Sequence, residues 1–205
     1  MKRLAILGAS GHGKVVAECG ELCGWQDICF FDDRWPELQL NGHWPVVGDT
    51  NELLRVCGDF GGVLVAIGNN DIRLAKLQLL IDAGATLPTL VHPSATVSRY
   101  SALGFGSVVL AGAVVNLDCQ IGHGVIINTA ATVDHDCTLG AGVHVSPGAH
   151  LAGGVSVGER SWIGIGSSVR QLVRVGVDVT IGAGAAVVAD TPDACTLVGV
   201  PARVL

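Results

Sequence analysis

The sequence has few charged residues and no long apolar segment. Charged side chains make up 15% of the 205 residues and hydrophobic ones 49%, which excludes an intrinsically disordered chain. The formal net charge is −6 and no cluster of Lys and Arg offsets it, which argues against nucleic acid or an anionic membrane as a partner. No apolar run approaches the roughly 18 residues of a membrane span, and the run near the N-terminus is too short for a secretion signal. These absences predict a soluble cytoplasmic protein.

Metal-binding cysteine motifs are also absent from the sequence. Seven cysteines occur, an odd number, and none forms a Cys-x-x-Cys pair. Cys19 and Cys23 are four residues apart on a predicted helix, but no His or Cys follows them at zinc spacing. We therefore interpret the cysteines as buried free thiols and expect no metal site.

The N-terminal part of the chain alternates short apolar runs with helix-like segments. Strands are predicted at 3–7, 27–33 and 62–68, and helices at 13–24, 50–57 and 71–84. This alternation indicates a small α/β unit of βαβ type with a parallel sheet. We assign residues 1–92 to this Rossmann-like domain.

The following part of the chain repeats every six residues. Sixteen hexads cover residues 95–190 without an insertion; the third residue of each is Val, Leu or Ile, and the first is Ala, Ser, Cys or Val. Such repetition is typical of a β-solenoid in which the aliphatic residue points inward and the small residue fits a crowded turn. Glycine occupies the fourth position in seven hexads, where we expect it to relieve the corner of each coil. We assign residues 93–205 to this second domain with a C-terminal tail.

Several motifs together resemble those of one protein family. They are the hexads, GASGHG (8–13), FFDD (30–33), AIGNN (66–70), the Asp134-His135-Asp136 element, HVSPGAHLAGG (144–154) and VGVPARVL (198–205). Over essentially the whole chain they resemble the PglD/NeuD-type sugar acetyltransferases, which belong to the hexapeptide-repeat acyltransferases. The resemblance implies a left-handed parallel β-helix with three hexads per coil, and a homotrimer.

The resemblance also implies an activity. Proteins of this type transfer the acetyl group of acetyl-CoA to the amino group of a nucleotide-linked sugar, commonly a UDP-linked 4-amino-4,6-dideoxy sugar, in bacterial surface-glycan biosynthesis. Relatives act on GDP-perosamine or acetylate an oxygen of sialic acid, and both reactions remain alternatives here. A trimeric scaffold without catalysis is an alternative of a different class.

An imidazole between two carboxylates is chemically suited to acetyl transfer. An amine that attacks a thioester must lose a proton, and a neutral imidazole near its own pKa can accept that proton. The resemblance implies that His135 is this general base, and Asp136 stands where the family commonly has Glu. Either Asp136 or Asp134 could orient the imidazole and favour its protonated form. The alternative interpretation is a solvated histidine in an aspartate-rich turn.

The coil arithmetic relates His135 to further residues. With three hexads per coil, Gly153 stacks directly beside His135, where it leaves room for a substrate and offers a backbone N–H to an oxyanion. His144 is half a coil away, so we expect it to meet His135 only across a subunit interface. The resemblance implies that His144, Ile165 and Ala183 contact acetyl-CoA, and we assign Gly153 to the same site.

A glycine-rich loop in the N-terminal domain suggests a second ligand site. GASGHG follows a predicted strand and precedes a helix, where backbone N–H groups and the helix dipole favour a phosphate. The loop could instead serve only helix packing, and Asp32 could bind the ribose of a nicotinamide cofactor. The resemblance implies nucleotide-sugar contacts from Ser10, Gly11, His12, Asp32, Asp33 and Gly68.

Overall fold

The computed structural model describes residues 2–205. These residues belong to two compact units that divide after Pro93, one residue beyond the boundary expected from the sequence. No helix within the described range is long and apolar enough to cross a membrane.

The first unit contains three helices and six strands. In chain order its elements are β1 (Arg3–Leu7), α1 (Gly11–Leu22), β2 (Asp27–Phe31), β3 (Leu40–Asn41), β4 (Trp44–Gly48), α2 (Thr50–Val56), a 3-10 turn (Cys57–Asp59), β5 (Gly62–Val65), α3 (Asn70–Asp82) and β6 (Leu90–Val91). Every strand and helix that the sequence predicted in this unit is present, with ends shifted by a few residues. Side chains fix two of the helix starts, since Asp49 accepts the N–H of Glu52 and Asn69 accepts that of Ile72.

The sheet of the first unit has the strand order β3-β4-β2-β1-β5. Its strands are parallel except for the antiparallel pair β3–β4. Strand β1 lies between β2 and β5, so the chain leaves it first to one side and later to the other. Such a switch point opens a crevice at the carboxyl ends of the strands, where ligands bind in sheets of this type.

The sequence prediction missed the β3–β4 pair. Strand β3 has only two residues, and β4 contains Pro45, which has no backbone N–H to donate and is exposed. The buried residues of β4 are Val46 and Gly48, and only Val46 has an apolar side chain, so no alternating pattern is recognisable.

The second unit is a solenoid of short strands. In chain order they are β7 (Thr96–Val97), β8 (Ala102–Leu103), β9 (Val108–Val109), β10 (Val114–Val115), β11 (Gln120–Ile121), β12 (Ile126–Ile127), β13 (Thr132–Val133), β14 (Thr138–Leu139), β15 (His144–Val145), β16 (His150–Leu151), β17 (Ser156–Val157), β18 (Trp162–Ile163), β19 (Ser168–Val169), β20 (Arg174–Val175), β21 (Thr180–Ile181), β22 (Ala186–Val187), β23 (Thr196–Val198) and β24 (Arg203–Val204). Strands β7 to β22 each occupy the second and third positions of one hexad.

These strands form the three faces of a left-handed β-helix. From β7 to β19, each strand pairs in parallel with the third strand further along, as Thr132 of β13 does with His150 of β16, 18 residues later. Face one contains β7, β10, β13, β16, β19 and β22; face two contains β8, β11, β14, β17 and β20; face three contains β9, β12, β15, β18, β21 and β23. Strand β24 turns back antiparallel to β23. The predicted coil of three hexads is confirmed.

The interior of the solenoid follows the hexad pattern. From Ser107 to Val187, the first and third residues of every hexad are buried. In the first coil Val97 and Leu103 are only half-buried. Cys119 and Cys137 occupy first positions with no exposed surface, which confirms that their role is packing.

The explanation of the hexad glycines given by the sequence was wrong. The corner that needs a left-handed backbone is at the sixth position, where φ is positive in every hexad from Gly106 to Gly184, glycine or not. At the fourth position, glycine is required because neighbouring coils approach closely. A Cβ on Gly122, for example, would lie 2.8 Å from the backbone nitrogen of Ala141.

Candidate active site

His135 lies at a corner of the solenoid, between β13 on face one and β14 on face two. Its ring nitrogen Nδ1 is 2.7 Å from Oδ2 of Asp136. Asp136 stands at the sixth position of its hexad and has φ 59, a left-handed conformation that aspartate tolerates better than most residues. The sequence left two partners open for the imidazole, and the structure assigns this contact to Asp136.

Asp134 has a different role at the same corner. Its Oδ1 accepts the backbone N–H of His135 at 2.8 Å and the side-chain amide of Asn116 at 2.7 Å. Asn116 was not predicted as part of the site, although it precedes Asp134 by one coil and the repeat could have placed it there. Asp134 therefore fixes the backbone of the corner, and Asp136 contacts the ring.

The surroundings of His135 favour its protonated form. The hydrogen bond to Asp136 raises the pKa of His135 above its usual value, and the charge of Asp134 adds to the effect. Because a carboxylate only accepts, the proton of the neutral imidazole lies on Nδ1 and the lone pair on Nε2. The His135 side chain is 54% exposed, so Nε2 is accessible to a substrate.

An open cleft lies beside His135. A Cβ on Gly153 would be 2.6 Å from both Cε1 and Nε2 of His135, which confirms the predicted stacking of these residues across one coil. The cleft has a volume of about 610 Å³, and four of its lining residues were not predicted as site residues: Ala152, Gly154, Gln171 and Leu172. Leu172 is 75% exposed and gives the cleft an apolar wall. The lining consists of Asp134, His135, Asp136, Ala152, Gly153, Gly154, Gln171 and Leu172.

The other predicted acetyl-CoA contacts lie elsewhere on the prism. His144 belongs to β15 on face three; its ring packs against Trp162 at 4.2 Å between centroids, its Nε2 is 3.1 Å from Nδ2 of Asn128, and it is 5% exposed. Ile165 and Ala183 are exposed and lie one coil apart at the corner between faces three and one. A single chain therefore does not bring these residues to the corner of His135.

The first unit has a pocket of about 260 Å³ at the carboxyl ends of β1, β2 and β5. Of the six residues predicted to bind a nucleotide sugar, it brings together Ser10, Asp32, Asp33 and Gly68. Gly11 is exposed at the first turn of α1, and His12 is not among the lining residues. The full lining is Leu7, Gly8, Ser10, Asp32, Asp33, Ile67, Gly68, Ile72 and Lys76.

Asp32 binds the glycine-rich loop. Its Oδ2 accepts the N–H of Ala9 at 2.7 Å, and Arg34 donates to both of its oxygens and to the carbonyl of Ala9. The hydrogen bonds from Arg34 and then from Ala9 lower the pKa of Asp32 to about 2, against the opposing effect of partial burial. The carboxylate is therefore ionised and accepts the N–H of Ala9, while Arg34, which it orients, donates to the Ala9 carbonyl.

Asp33 is held by two other helices. Lys76 of α3 donates to its Oδ2 at 2.7 Å and to the hydroxyl of Thr50 at 2.7 Å, while the N–H of Thr50 in α2 reaches Oδ1 at 3.0 Å. Partial burial would raise the pKa of Asp33, but the hydrogen bonds from Lys76 and Thr50 outweigh it, and the pKa lies below its usual range. The sequence did not predict Lys76 as a site residue.

A buried arginine supports the pocket loop that follows β5. Arg73 has no exposed surface and donates to the carbonyls of Ile67 and Gly68 and to Oδ1 of Asn70. Burial lowers the pKa of Arg73 to about 10, so it stays charged at neutral pH. Burial also lowers the pKa of His12 to about 4, to which the charge of Arg73 contributes, so His12 is neutral.

Arg73 could have been recognised from the helix pattern. It precedes Leu77 and Leu80, both buried, by four and seven residues, which places a cation on the core-facing stripe of α3. A charge at such a position needs buried partners.

Among residues 2–205, no group of three or more His, Cys, Asp or Glu side chains could hold a metal ion.

The left-handed β-helix, with an imidazole–carboxylate pair in an open cleft, defines a hexapeptide-repeat acyltransferase, and comparisons with known proteins narrow the class. A family model described as the PglD N-terminal domain matches residues 3–80. The acetyltransferase domain of PglB from Neisseria gonorrhoeae, solved with acetyl coenzyme A, is 48% identical, with 100% of this chain and 99% of that chain covered and a TM-score of 0.96. The chain belongs to the PglD-type sugar acetyltransferases of the hexapeptide-repeat family.

The descriptions of two further relatives name a nucleotide-linked sugar. PerB from Caulobacter crescentus, solved with CoA and GDP-perosamine, is 42% identical, with 98% of this chain and 96% of that chain covered and a TM-score of 0.94. The UDP-N-acetylbacillosamine N-acetyltransferase of Bacillus subtilis is 38% identical over 115 residues, or 54% of this chain and 52% of its own length. The match therefore spans about half the length of that curated relative.

Proposed function

We propose that this chain is an acetyl-CoA-dependent N-acetyltransferase for the amino group of a nucleotide-linked sugar in bacterial surface-glycan biosynthesis. The observation that carries the proposal is the His135–Asp136 pair at 2.7 Å, with Nε2 facing an open cleft beside Gly153. A solenoid that served only as a scaffold would have no need for a basic nitrogen in an accessible cleft. The preferred sugar is a UDP-linked 4-amino-4,6-dideoxy sugar, and the name of the UDP-N-acetylbacillosamine N-acetyltransferase of Bacillus subtilis supports the UDP linkage.

The proposed reaction follows from the position of Nε2. The sugar amine attacks the carbonyl carbon of the thioester, a C–N bond forms, and Nε2 of His135 takes one proton from the nitrogen. Asp136 stabilises the imidazolium that results. The tetrahedral intermediate then loses the thiolate as the C–S bond breaks, and the thiolate recovers the proton to leave as CoA. The backbone N–H of Gly153 is the proposed donor to the oxyanion.

The nucleotide part of the substrate is assigned to the pocket of the first unit. Ser10 and Gly11 lie at the N-terminus of α1, where the backbone N–H groups attract a diphosphate. Asp32, Asp33 and Gly68 line the same crevice. His12 does not line the crevice, and its neutral imidazole in the first turn of α1 is left with a supporting role beside the loop.

We propose that acetyl-CoA binds between neighbouring chains of a homotrimer. His135 lies at the corner between faces one and two, whereas Ile165 and Ala183 lie at the corner between faces three and one and His144 lies on face three. One acetyl-CoA can contact both sets if two prisms stand side by side. The cytoplasm is the expected location, since acetyl-CoA is the co-substrate.

GDP-perosamine is the second candidate substrate. It is favoured by the likeness to PerB over nearly the whole of both chains. Uracil and guanine nucleotides both carry ribose, so the pocket described above is compatible with either.

The proposal is tested by thiol release from acetyl-CoA over a panel of UDP-, GDP- and dTDP-linked amino sugars. We expect release that depends on one amino sugar, and His135→Ala should lower turnover by about 10² to 10⁴, as loss of a general base does. His150→Ala is the matched control because His150 is exposed on face one and its ring contacts Thr132, away from the cleft of His135. Normal turnover by a folded His135→Ala protein would remove His135 from the mechanism. If none of the amino sugars on the panel stimulated thiol release, the proposed N-acetyltransferase function would be contradicted.

A further inference from the structure

The two neighbouring carboxylates of the nucleotide pocket differ in how many hydrogen bonds they can still accept. Asp32 already receives four: Oδ1 accepts the N–H and Nε of Arg34 at 3.1 and 2.7 Å, and Oδ2 accepts Nη2 of Arg34 and the N–H of Ala9 at 3.0 and 2.7 Å. A carboxylate has about four lone-pair sites. Asp32 is therefore saturated, and its side chain is only 13% exposed.

Asp33 retains capacity for a ligand. Its two oxygens receive the N–H of Thr50 and the ammonium of Lys76, and a lone-pair site remains even when the hydroxyl of Thr50 is counted as a third donor. The side chain is 59% exposed and lines the pocket. Lys76 is more enclosed, at 20%, and holds the carboxylate in one orientation.

The position of Asp33 in the sheet indicates which part of a nucleotide it faces. It follows β2, the strand next to β1, and β1 leads into the glycine-rich loop and α1. In sheets of this type a diphosphate lies at the first helix, and an acidic residue at the end of the second strand accepts a ribose hydroxyl. With Asp32 saturated, only Asp33 of this pair can accept that bond.

We propose that Asp33, positioned by Lys76 and Thr50, reads the 2′-hydroxyl of the nucleotide and makes the pocket selective for ribonucleotide over 2′-deoxyribonucleotide sugars. Asp32 is a positioning residue that holds the phosphate loop through Ala9 and does not touch the sugar. This inference rests on the proposed function, since it assigns a substrate class to the same pocket. A pocket with this selectivity binds UDP- and GDP-linked sugars, which carry the 2′-hydroxyl, and discriminates against dTDP-linked sugars, which lack it.

Selectivity follows from the cost of losing a charge-assisted hydrogen bond. A 2′-deoxyribose leaves the Asp33 carboxylate partly shielded from water by the ligand and without its donor. A site built to bind a hydroxyl discriminates strongly against the analogue that lacks it. Hydrogen bonds to charged groups have net contributions that correspond to about 10- to 100-fold in affinity.

The test compares UDP with 2′-deoxy-UDP, which differ by one oxygen atom, in calorimetric titrations of the full chain. UDP should bind about 10- to 100-fold more tightly. Equal binding of the two would overturn the inference and leave the proposed function standing. If neither nucleotide binds, nor any amino sugar supports thiol release, the proposed function itself fails.

A matched pair of variants separates the two carboxylates. Asp33→Asn should abolish most of the preference for UDP, and Lys76→Met should reduce it by releasing the carboxylate. Asp32→Asn should weaken UDP and 2′-deoxy-UDP by the same factor, so that their ratio stays at the wild-type value. Lys14→Met, at an exposed lysine of α1, controls for loss of positive charge. A ratio that collapses in Asp32→Asn and survives in Asp33→Asn would reverse the assignment.

Discussion

The two ring nitrogens of His135 have different surroundings, and this difference suits the residue to its proposed role as general base. Nδ1 donates to Asp136, whereas Nε2 faces the cleft next to Gly153. The carboxylate fixes the tautomer in which the lone pair points toward the cleft, and it favours the charged form that proton transfer creates. The same contact raises the pKa of His135 above its usual value of 6.5.

Asp136→Asn should shift the pH dependence of catalysis. In the proposed mechanism the neutral imidazole is the active form, so kcat/KM should rise as the pH increases through the pKa of His135. Because Asp136 is the main cause of the raised pKa of His135, the uncharged amide of Asn at position 136 should shift the rise of kcat/KM to lower pH. The plateau should also fall, since the imidazolium is less stabilised.

The measurement for Asp136→Asn is a pH profile of kcat/KM, together with an NMR titration of the His135 ring. The titration separates the imidazole from the sugar amine, which also ionises. Asp134→Asn is the comparison, because Asp134 contacts the His135 backbone and affects the ring through its charge alone, so it should lower the pKa of His135 less than Asp136→Asn does. An unchanged pKa in Asp136→Asn would show that the 2.7 Å contact does not govern the base.

Gly153→Ala should inactivate the enzyme without unfolding it. The added Cβ would lie 2.6 Å from Cε1 and Nε2 of His135, so the exposed ring must move. A displacement of about 1 Å costs on the order of 10² in rate, and we expect a loss of that size in kcat. Gly58→Ala, with open space around the new Cβ, is the control. Activity above half of the wild-type level would mean that the ring position is not critical.

At the residue scale, the sequence predicted the parts of the site that the repeat determines. The pairing of His135 with Gly153 followed from the coil length. The choice of Asp136 over Asp134 depended on the left-handed backbone at the sixth position, which the hexad pattern did not reveal. Lys76 could not be predicted, because its contact with Asp33 joins α3 to a strand end 43 residues away.

At the scale of elements, the two units differ in how directly sequence determines structure. In the solenoid, each strand packs against the equivalent strands of the adjacent coils, so one hexad pattern repeated sixteen times determines the position and register of the strands. In the first unit, each strand has its own neighbours, and β3 and β4 escaped prediction because Pro45 and the short length of β3 hide them. Repetition thus makes prediction of the second unit far more secure than of the first.

Arg73→Met tests how α3 supports the nucleotide pocket. The guanidinium donates to the carbonyls of Ile67 and Gly68, which belong to the loop that follows β5. Its removal leaves buried acceptors without these donors, and we expect a loss of about 3 kcal/mol in the free energy of unfolding of the first unit. Nucleotide binding should weaken as the loop loosens, whereas acetyl-CoA binding should not.

Thermal unfolding and calorimetry measure both effects of Arg73→Met. Arg55→Met provides the control, since Arg55 is 69% exposed and pairs only with Glu52 on the surface of α2; a change within about 0.5 kcal/mol is expected there. Unchanged nucleotide affinity in a destabilised Arg73→Met protein would limit the role of Arg73 to folding.

At the scale of the whole molecule, the solenoid separates residues that are proposed to act on one acetyl-CoA. His135 and Ile165 lie at different corners of the same prism, with face one between them. A face of six residues is about 20 Å long at the rise of a β-strand, so a CoA that contacts Ile165 of the same chain would have to extend across all of face one to bring its thioester to His135. The proposed trimer resolves this separation because a corner of one chain can meet a different corner of its neighbour.

Mixed trimers test the shared site directly. His135→Ala removes the base, and Ile165→Glu places a negative charge where the phosphates and pantetheine of acetyl-CoA are expected to pass. Ile165 is 56% exposed, so this change spares the core, whereas a substitution of His144 would also disturb its packing against Trp162. Each variant must first be shown to be inactive and trimeric alone.

When the two are co-expressed, sites that combine His135 of one variant with Ile165 of the other are intact. In a cyclic trimer of randomly mixed chains about a quarter of the sites meet this condition, so activity should return to about that fraction. If purified mixed trimers stay as inactive as either parent, His135 and Ile165 serve the site of one chain, and the inter-subunit position of acetyl-CoA is wrong.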